Sequence, residues 1–181
     1  MRQRKKILNP LLLAITILLI IATSCNTINS PTDTSTTTTP TSGLIVSSVT
    51  GTTCGGYPPR NVIAIWIENN SGTFVKTLTV KAGTRKSDLT KWTSSSNGNT
   101  VDANTGATLS SFGTVTGIWN GTDANGKVVA DGSYKVCMEL TDKSSTGNYS
   151  SFTFTKGTVA ETQTPSNAPS FSSISIKWLP L

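Results

Sequence analysis

From Gly43 to the C-terminus, apolar residues stand in short runs that are separated by turn-forming residues. The strongest run, residues 61–68, is apolar enough on both faces to form a central strand or a strand with a covered outer face. The polar connection at 69–72 suits a hairpin between this run and residues 74–80. Long helical patterns of Ala, Leu, Glu and Lys are missing after residue 25. The sequence therefore predicts an all-β fold.

Seven or eight strands are expected, a number typical of a β-sandwich or barrel. In residues 133–141, apolar side chains alternate with Lys135, Cys137 and Glu139, which predicts a half-buried strand with one face outward. Ser87 has the character of a helix N-cap, so a short helix is expected over 87–92. The predicted strands cover residues 44–49, 61–68, 74–80, 113–120, 127–130, 133–141, 150–155 and 172–178.

Residues 1–24 have the organisation of a bacterial signal peptide. Four Lys and Arg residues lie within the first six positions, ahead of an apolar stretch at 11–22. As a helix this stretch covers about 18 Å, which is too short for a hydrocarbon core of about 30 Å. Small residues then lead to Cys25, and the segment resembles the bacterial lipobox, although Ala22 stands where Leu is usual. The resemblance implies that Cys25 is lipid-modified and attaches the protein to a lipid bilayer.

The alternative for Cys25 is ordinary signal cleavage beside a chance thiol. Residues 25–42 begin with this Cys and are otherwise dominated by Thr, Ser, Pro, Asn and Asp. We expect a disordered, solvated tether, with a glycosylated stalk as the alternative. The predicted organisation is a signal peptide at 1–24, a tether at 25–42 and a sandwich domain at 43–181, held outside the cytoplasm on the periplasmic or surface side.

The charge and composition exclude several classes of function. Four of the fifteen Lys and Arg residues precede Cys25, which leaves eleven basic against nine acidic residues and a net charge of +2 after it. No basic stripe is present, so a nucleic-acid partner is not expected. The chain contains no His, which removes the commonest general base and most zinc and haem sites. We expect no stand-alone catalyst and no metal site.

Two cysteines, Cys54 and Cys137, remain after the predicted lipidation. Outside the cytoplasm such a pair tends to oxidise, so a disulfide between them is one interpretation. The other is two separate thiols, with Cys137 partly buried in its strand. The distance and orientation of the two side chains in the fold decide between these interpretations.

Turn residues dominate positions 119–134, where Asn125-Gly126 and Asp131-Gly132 predict two tight turns of a hairpin. Asp123, Asn125 and Asp131 can also suggest a calcium site, but no EF-hand spacing follows and turn chemistry explains them better. The stretch resembles a strand pair of immunoglobulin-like domains such as that of the flagellar hook-capping protein. The resemblance implies an immunoglobulin-like β-sandwich.

A wider resemblance runs from near residue 57 to 181. It rests on the order of the segments 64–68, 75–78, Leu89 with Trp92, 102–108, 119–123 and 174–180. This order is similar to that of a predicted periplasmic family of unknown function, which often accompanies membrane PepSY proteins and flavin transferases. The resemblance implies a PepSY-type membrane redox protein and an FAD-dependent FMN transferase as partners.

Residues 102–108, Asp-Ala-Asn-Thr-Gly-Ala-Thr, are similar to the flavinylation motif Asp-x-x-(Ser/Thr)-Gly-Ala-(Thr/Ser) of respiratory sodium-pumping and Rnf-type subunits. This resemblance implies that Thr108 receives FMN through a phosphoester. Gly106 and Ala107 would keep the acceptor loop slim, and Asp102 and Thr105 would shape it through local side-chain to backbone hydrogen bonds.

Two functions follow as alternatives. The first is a membrane-tethered electron carrier with covalent FMN on Thr108. The second is a non-catalytic immunoglobulin-like module of the cell envelope, in which residues 102–108 are only a turn. The four tryptophans can be read as sugar platforms or flavin neighbours. Because Trp66 and Trp119 lie in predicted strands, we expect these two in the core.

Overall fold

A computed structural model describes residues 41–51 and 61–181 of the chain. The predicted signal peptide at 1–24 lies outside these residues, as does the predicted tether except for Thr41 and Ser42. The described residues form nine strands, one α-helix and one 3-10 helix, arranged as two packed sheets. The expectation of an all-β sandwich is confirmed, and the immunoglobulin-like relationship stays a prediction.

The two sheets contain four and five strands. The first is formed by β1 (Gly43–Thr50), β5 (Thr114–Trp119), β8 (Glu161–Gln163) and β9 (Phe171–Leu179), side by side in the order β5-β1-β9-β8. The second is formed by β2 (Val62–Asn69), β3 (Phe74–Lys81), β4 (Asn104–Gly106), β6 (Gly132–Thr141) and β7 (Asn148–Lys156), in the order β4-β3-β2-β6-β7. A 3-10 helix (Lys86–Asp88) and helix α1 (Thr90–Ser96) connect β3 to β4.

Alternate side chains of the inner faces build the core between the sheets. Ile63, Ile65 and Ile67 of β2 are fully buried in it. Four aromatic rings also pack there, with centroid distances from 5.3 to 6.4 Å, and they belong to Trp119, Tyr134, Phe154 and Trp178. Trp66 and Trp119 are each 1% exposed, so the prediction that both are buried is confirmed.

Helix α1 covers the outer face of the five-stranded sheet. Trp92 of the helix and Leu89 before it pack with Val62, Ala64 and Trp66 of β2 in a second apolar cluster. β2 lies between β3 and β6 and is buried on both faces, which explains why residues 61–68 lack a polar face. The prediction of a central, covered strand is confirmed.

The prediction of an outward face for residues 133–141 is wrong at Cys137 and Glu139, which are fully buried. The Glu139 carboxylate accepts hydrogen bonds from the backbone N–H groups of Lys91 (3.1 Å) and Trp92 (2.8 Å). Burial raises the pKa of Glu139 above its ordinary value, while these backbone bonds oppose the rise. Glu139, on strand β6, therefore caps the N-terminus of helix α1. Ser87 lies in the 3-10 helix instead, and Leu89 is the N-cap residue.

The predicted hairpin over 119–134 is also wrong in part. β5 and β6 belong to different sheets, and residues 127–130 contribute one isolated bridge, between Thr122 and Val128, instead of a strand. The turn at Asn125-Gly126 does form, with Gly126 at a φ of 80°. Asp123 Oδ1 accepts hydrogen bonds from the N–H groups of Asn125 and Lys127, both at 2.9 Å, so this carboxylate acts in a turn. The segment crosses from one sheet to the other.

Candidate functional site

Residues 102–108 lie at the edge of the five-stranded sheet. The predicted slim loop contains β4, which pairs in parallel with β3, with Thr79 opposite Asn104 and Lys81 opposite Gly106. All three residues of β4 are exposed. The chain therefore presents most of the motif to solvent on an ordered backbone.

The Thr108 side chain is half-buried and lies outside the sandwich core. Its hydroxyl accepts a hydrogen bond from Thr84 N–H at 3.0 Å and donates one to Thr84 carbonyl oxygen at 3.1 Å. The two threonine hydroxyl oxygens are also 3.1 Å apart. The candidate acceptor oxygen is thus held in one place at the surface by a single neighbouring residue.

Gly83 permits this close contact. A Cβ atom at position 83 would lie 3.2 Å from Ala107 Cα and 3.4 Å from Thr108 N, tighter than most real contacts. The backbone around Gly83 therefore approaches residues 107 and 108 directly, and the next residue, Thr84, reaches the Thr108 hydroxyl. Ala107 contributes by its backbone at this contact.

Two lysines on β3 contact the motif, and sequence reasoning missed both. Lys81 Nζ donates to Asn104 Oδ1 at 2.7 Å and lies 3.1 Å from where a Gly106 Cβ would be. Lys76 is 5% exposed, and its Nζ lies 3.4 Å from Asp102 Oδ2 and 3.1 Å from Thr122 Oγ1. The segment is therefore attached to the sheet by ammonium groups as well as by backbone pairing.

The expected role of Asp102 differs from the observed one. Its carboxylate pairs with Lys76, 26 residues away, instead of shaping the loop through nearby backbone groups, and its own backbone has a left-handed φ of 55°. The Thr105 carbonyl oxygen lies 3.5 Å from Lys81 Nζ, and Thr105 pairs with Val80. Asp102, Thr105, Gly106, Ala107 and Thr108 thus all lie along one edge.

The predicted cysteine sites fall largely outside the described residues. Cys25 and Cys54 both lie there, so lipidation and the Cys54–Cys137 disulfide stay predictions. Cys137 is fully buried, and its Sγ receives a hydrogen bond from the Tyr149 hydroxyl at 3.4 Å. Burial raises the pKa of the Cys137 thiol to about 12. Within residues 41–51 and 61–181, no group of three or more His, Cys, Asp or Glu residues is placed to hold a metal ion.

The domain is a β-sandwich of two packed sheets. One helix covers the outer face of the five-stranded sheet, and an exposed polar strand forms one edge of that sheet. The chain belongs to the family described as predicted periplasmic protein (DUF2271), whose model matches residues 46–170, and the family's function is unknown. No curated protein and no solved structure shows a significant match. In the part of the chain that the structure describes, no helix is long and apolar enough to cross a membrane.

Proposed function

We propose that this protein is a membrane-anchored, extracytoplasmic carrier of covalently bound FMN, with Thr108 as the acceptor residue. The observation that carries the proposal is the position of the Thr108 hydroxyl, at the surface beside an exposed edge strand. A transferase must bring a hydroxyl into its own active site, which a core residue does not allow. The resemblance of residues 102–108 to the flavinylation motif supplies the chemistry.

The donor set of this edge suits a phosphoester. Esterification by FAD joins the Thr108 oxygen to the FMN phosphorus, releases AMP, and passes the hydroxyl proton to a base of the transferase. Before attack, the hydroxyl must give up its hydrogen bond to the Thr84 carbonyl oxygen. Lys81 places a positive charge on the same edge, favourable for a phosphate group. When bound, FMN supplies one- and two-electron transfer; the sandwich presents it.

Coexpression with an FAD-dependent FMN transferase is expected to add one FMN, less one water, to the chain. Thr108→Ala should abolish this gain in mass, because it removes the hydroxyl group that would be esterified. Thr108→Ser should retain it, because the motif accepts Ser there. Intact-mass measurement and ultraviolet-excited fluorescence of the band in a gel detect the product.

Thr114→Ala is the matched control, since Thr114 is an exposed threonine on β5, outside the motif, and this variant should be labelled like the parent. An unlabelled parent chain, in an assay where a known acceptor is labelled, would refute the proposal. Equal labelling of Thr108→Ala would assign the flavin to another residue and refute Thr108.

The anchor is proposed on the lipobox-like sequence that ends at Cys25. Two or more acyl chains give stable membrane attachment, whereas a single chain is marginal. Cys25→Ala is therefore expected to abolish incorporation of labelled fatty acid and to move the protein from the membrane fraction to the soluble fraction. Cys54→Ala, at a cysteine beyond the predicted tether, should leave both unchanged. Unchanged membrane retention of Cys25→Ala would contradict the anchor.

A further inference from the structure

A groove with a volume of about 370 Å³ lies on the outer face of the five-stranded sheet, beside α1. This volume is at the lower end of the range of small-molecule sites. Trp66 and Glu68 of β2, Lys91, Ser94 and Ser95 of α1, and Tyr149 of β7 line it. Residues from three separate elements thus converge on one concave surface.

Tyr149 gives the groove an apolar surface. Its ring is packed on Trp66, with centroids 5.7 Å apart and planes inclined by 34°, yet the residue is 40% exposed. Its hydroxyl donates inward to Cys137 Sγ at 3.4 Å. The ring is therefore fixed in orientation before any ligand arrives, and its hydrocarbon part is available in the groove.

Glu68 gives the groove an oriented acceptor. Its Oε1 atom accepts hydrogen bonds from Trp66 Nε1 at 2.9 Å and from Ser95 Oγ at 2.6 Å. The buried Cys137 thiol also lies within hydrogen-bonding reach of this carboxylate. An ionised carboxylate has about four lone-pair sites, so Glu68 is oriented by these partners and keeps acceptor capacity for a ligand.

Lys91 and Ser94 complete the polar lining, and both are exposed. The Lys91 ammonium opposes the approach of a small cation to Glu68, and the Glu68 carboxylate opposes a small anion. A neutral molecule that carries several hydroxyl groups on one side and C–H groups on the other satisfies the carboxylate, the ammonium, the hydroxyl and the ring together. Saccharides have this chemistry.

We propose that this groove binds a neutral saccharide, whose ring stacks on Tyr149 while its hydroxyl groups bond to Glu68 and Lys91. The site is separate from Thr108. Tyr149 lies on β7 and the flavinylation-like segment contains β4, and these are the two edge strands of the five-stranded sheet. Four strand spacings separate these two edges, a distance of about 19 Å. Saccharide binding needs no flavin on the protein.

The test is a titration of the purified full chain, monitored by calorimetry and saturation-transfer NMR. The ligands are glucose, galactose, mannose, N-acetylglucosamine, cellobiose and chitobiose. At least one of these sugars is expected to bind saturably. Tyr149→Ala should weaken that sugar by about tenfold or more, because the stacking surface is lost. Tyr149→Phe should bind within about twofold of the parent, because only the inward-facing hydroxyl is removed.

Further variants separate this site from a change in folding. Glu68→Gln keeps the acceptor atom for Trp66 and Ser95 but removes the charge, and should weaken binding several-fold, as should Lys91→Ala. Thr153→Ala, an exposed residue of the same strand as Tyr149, should bind like the parent. Failure of all six sugars to bind overturns the proposal. Binding of the organic cation tetramethylammonium, with no binding of any sugar, overturns it as well. So does sugar binding that Tyr149→Ala leaves unchanged in a folded protein.

Discussion

Replacing Trp119 with alanine is expected to lower the free energy of unfolding by about 3–5 kcal/mol, the usual cost of deleting a large buried aromatic side chain. Trp119 is 1% exposed and contacts three other rings, those of Tyr134, Phe154 and Trp178. Its indole N–H also donates to the Thr122 carbonyl oxygen at 2.7 Å. Alanine would leave a cavity between the sheets and an unpaired carbonyl group. Equilibrium denaturation in urea measures the change.

Ile118 is the matched control for Trp119, because it is the preceding residue of the same strand and is 52% exposed. Ile118→Ala should change the free energy of unfolding by less than about 1 kcal/mol. Trp119→Phe should fall between the two, since it keeps a ring but loses the hydrogen bond to Thr122. A loss below about 1 kcal/mol for Trp119→Ala would contradict the described packing.

Cys137 is expected to react with iodoacetamide about a thousandfold more slowly in the folded protein than in urea. The reactive species is the thiolate. With a pKa of about 12 in the fold, roughly one thiol in ten thousand is ionised at pH 8, against about a quarter for an ordinary cysteine with a pKa near 8.5. The thiol is also fully buried beneath α1, so the reagent must wait for a local opening.

The measurement uses a chain with Cys25→Ser and Cys54→Ser, so that Cys137 is the single cysteine and has no disulfide partner. Intact mass against time gives the alkylation rate at pH 8, with and without denaturant. The rate should rise with pH up to about 12, because the thiolate fraction increases throughout this interval. A folded-state rate within about tenfold of the denatured rate would show that the thiol is accessible and contradict the structure.

The sequence predicts those parts of the fold that are encoded by neighbouring residues. β2 is apolar on both faces and is long enough to be recognised, and the β2–β3 hairpin has a polar connection of its own. The sequence does not predict β4, because Asn-Thr-Gly carries no strand pattern and its pairing depends on β3, more than twenty residues earlier. The sequence wrongly predicts a hairpin between β5 and β6, because turn residues have the same pattern whether or not the flanking strands share a sheet.

The other wrong predictions arise mainly because an element distant in sequence buries a residue that was expected to be exposed. Glu139 has the alternating position of an exposed residue, but α1, 47 residues earlier, lies over it and uses its carboxylate as a cap. The candidate site shows the same limit. The amino-acid sequence alone identifies residues 102–108 as a candidate site. Lys76, Lys81 and Thr84 are recognised as part of it only from the contacts that they make in the folded chain. Lysines and threonines on a predicted strand carry no local signal of such contacts.

The brevity of β4 has a mechanical consequence. An edge strand of three exposed residues can separate from β3 without disturbing the core, because none of its side chains belongs to the described apolar clusters. A local opening of this strand would therefore leave the packing between the two sheets in place. The same three residues occupy the edge of β3 and so prevent the strands of other molecules from pairing there.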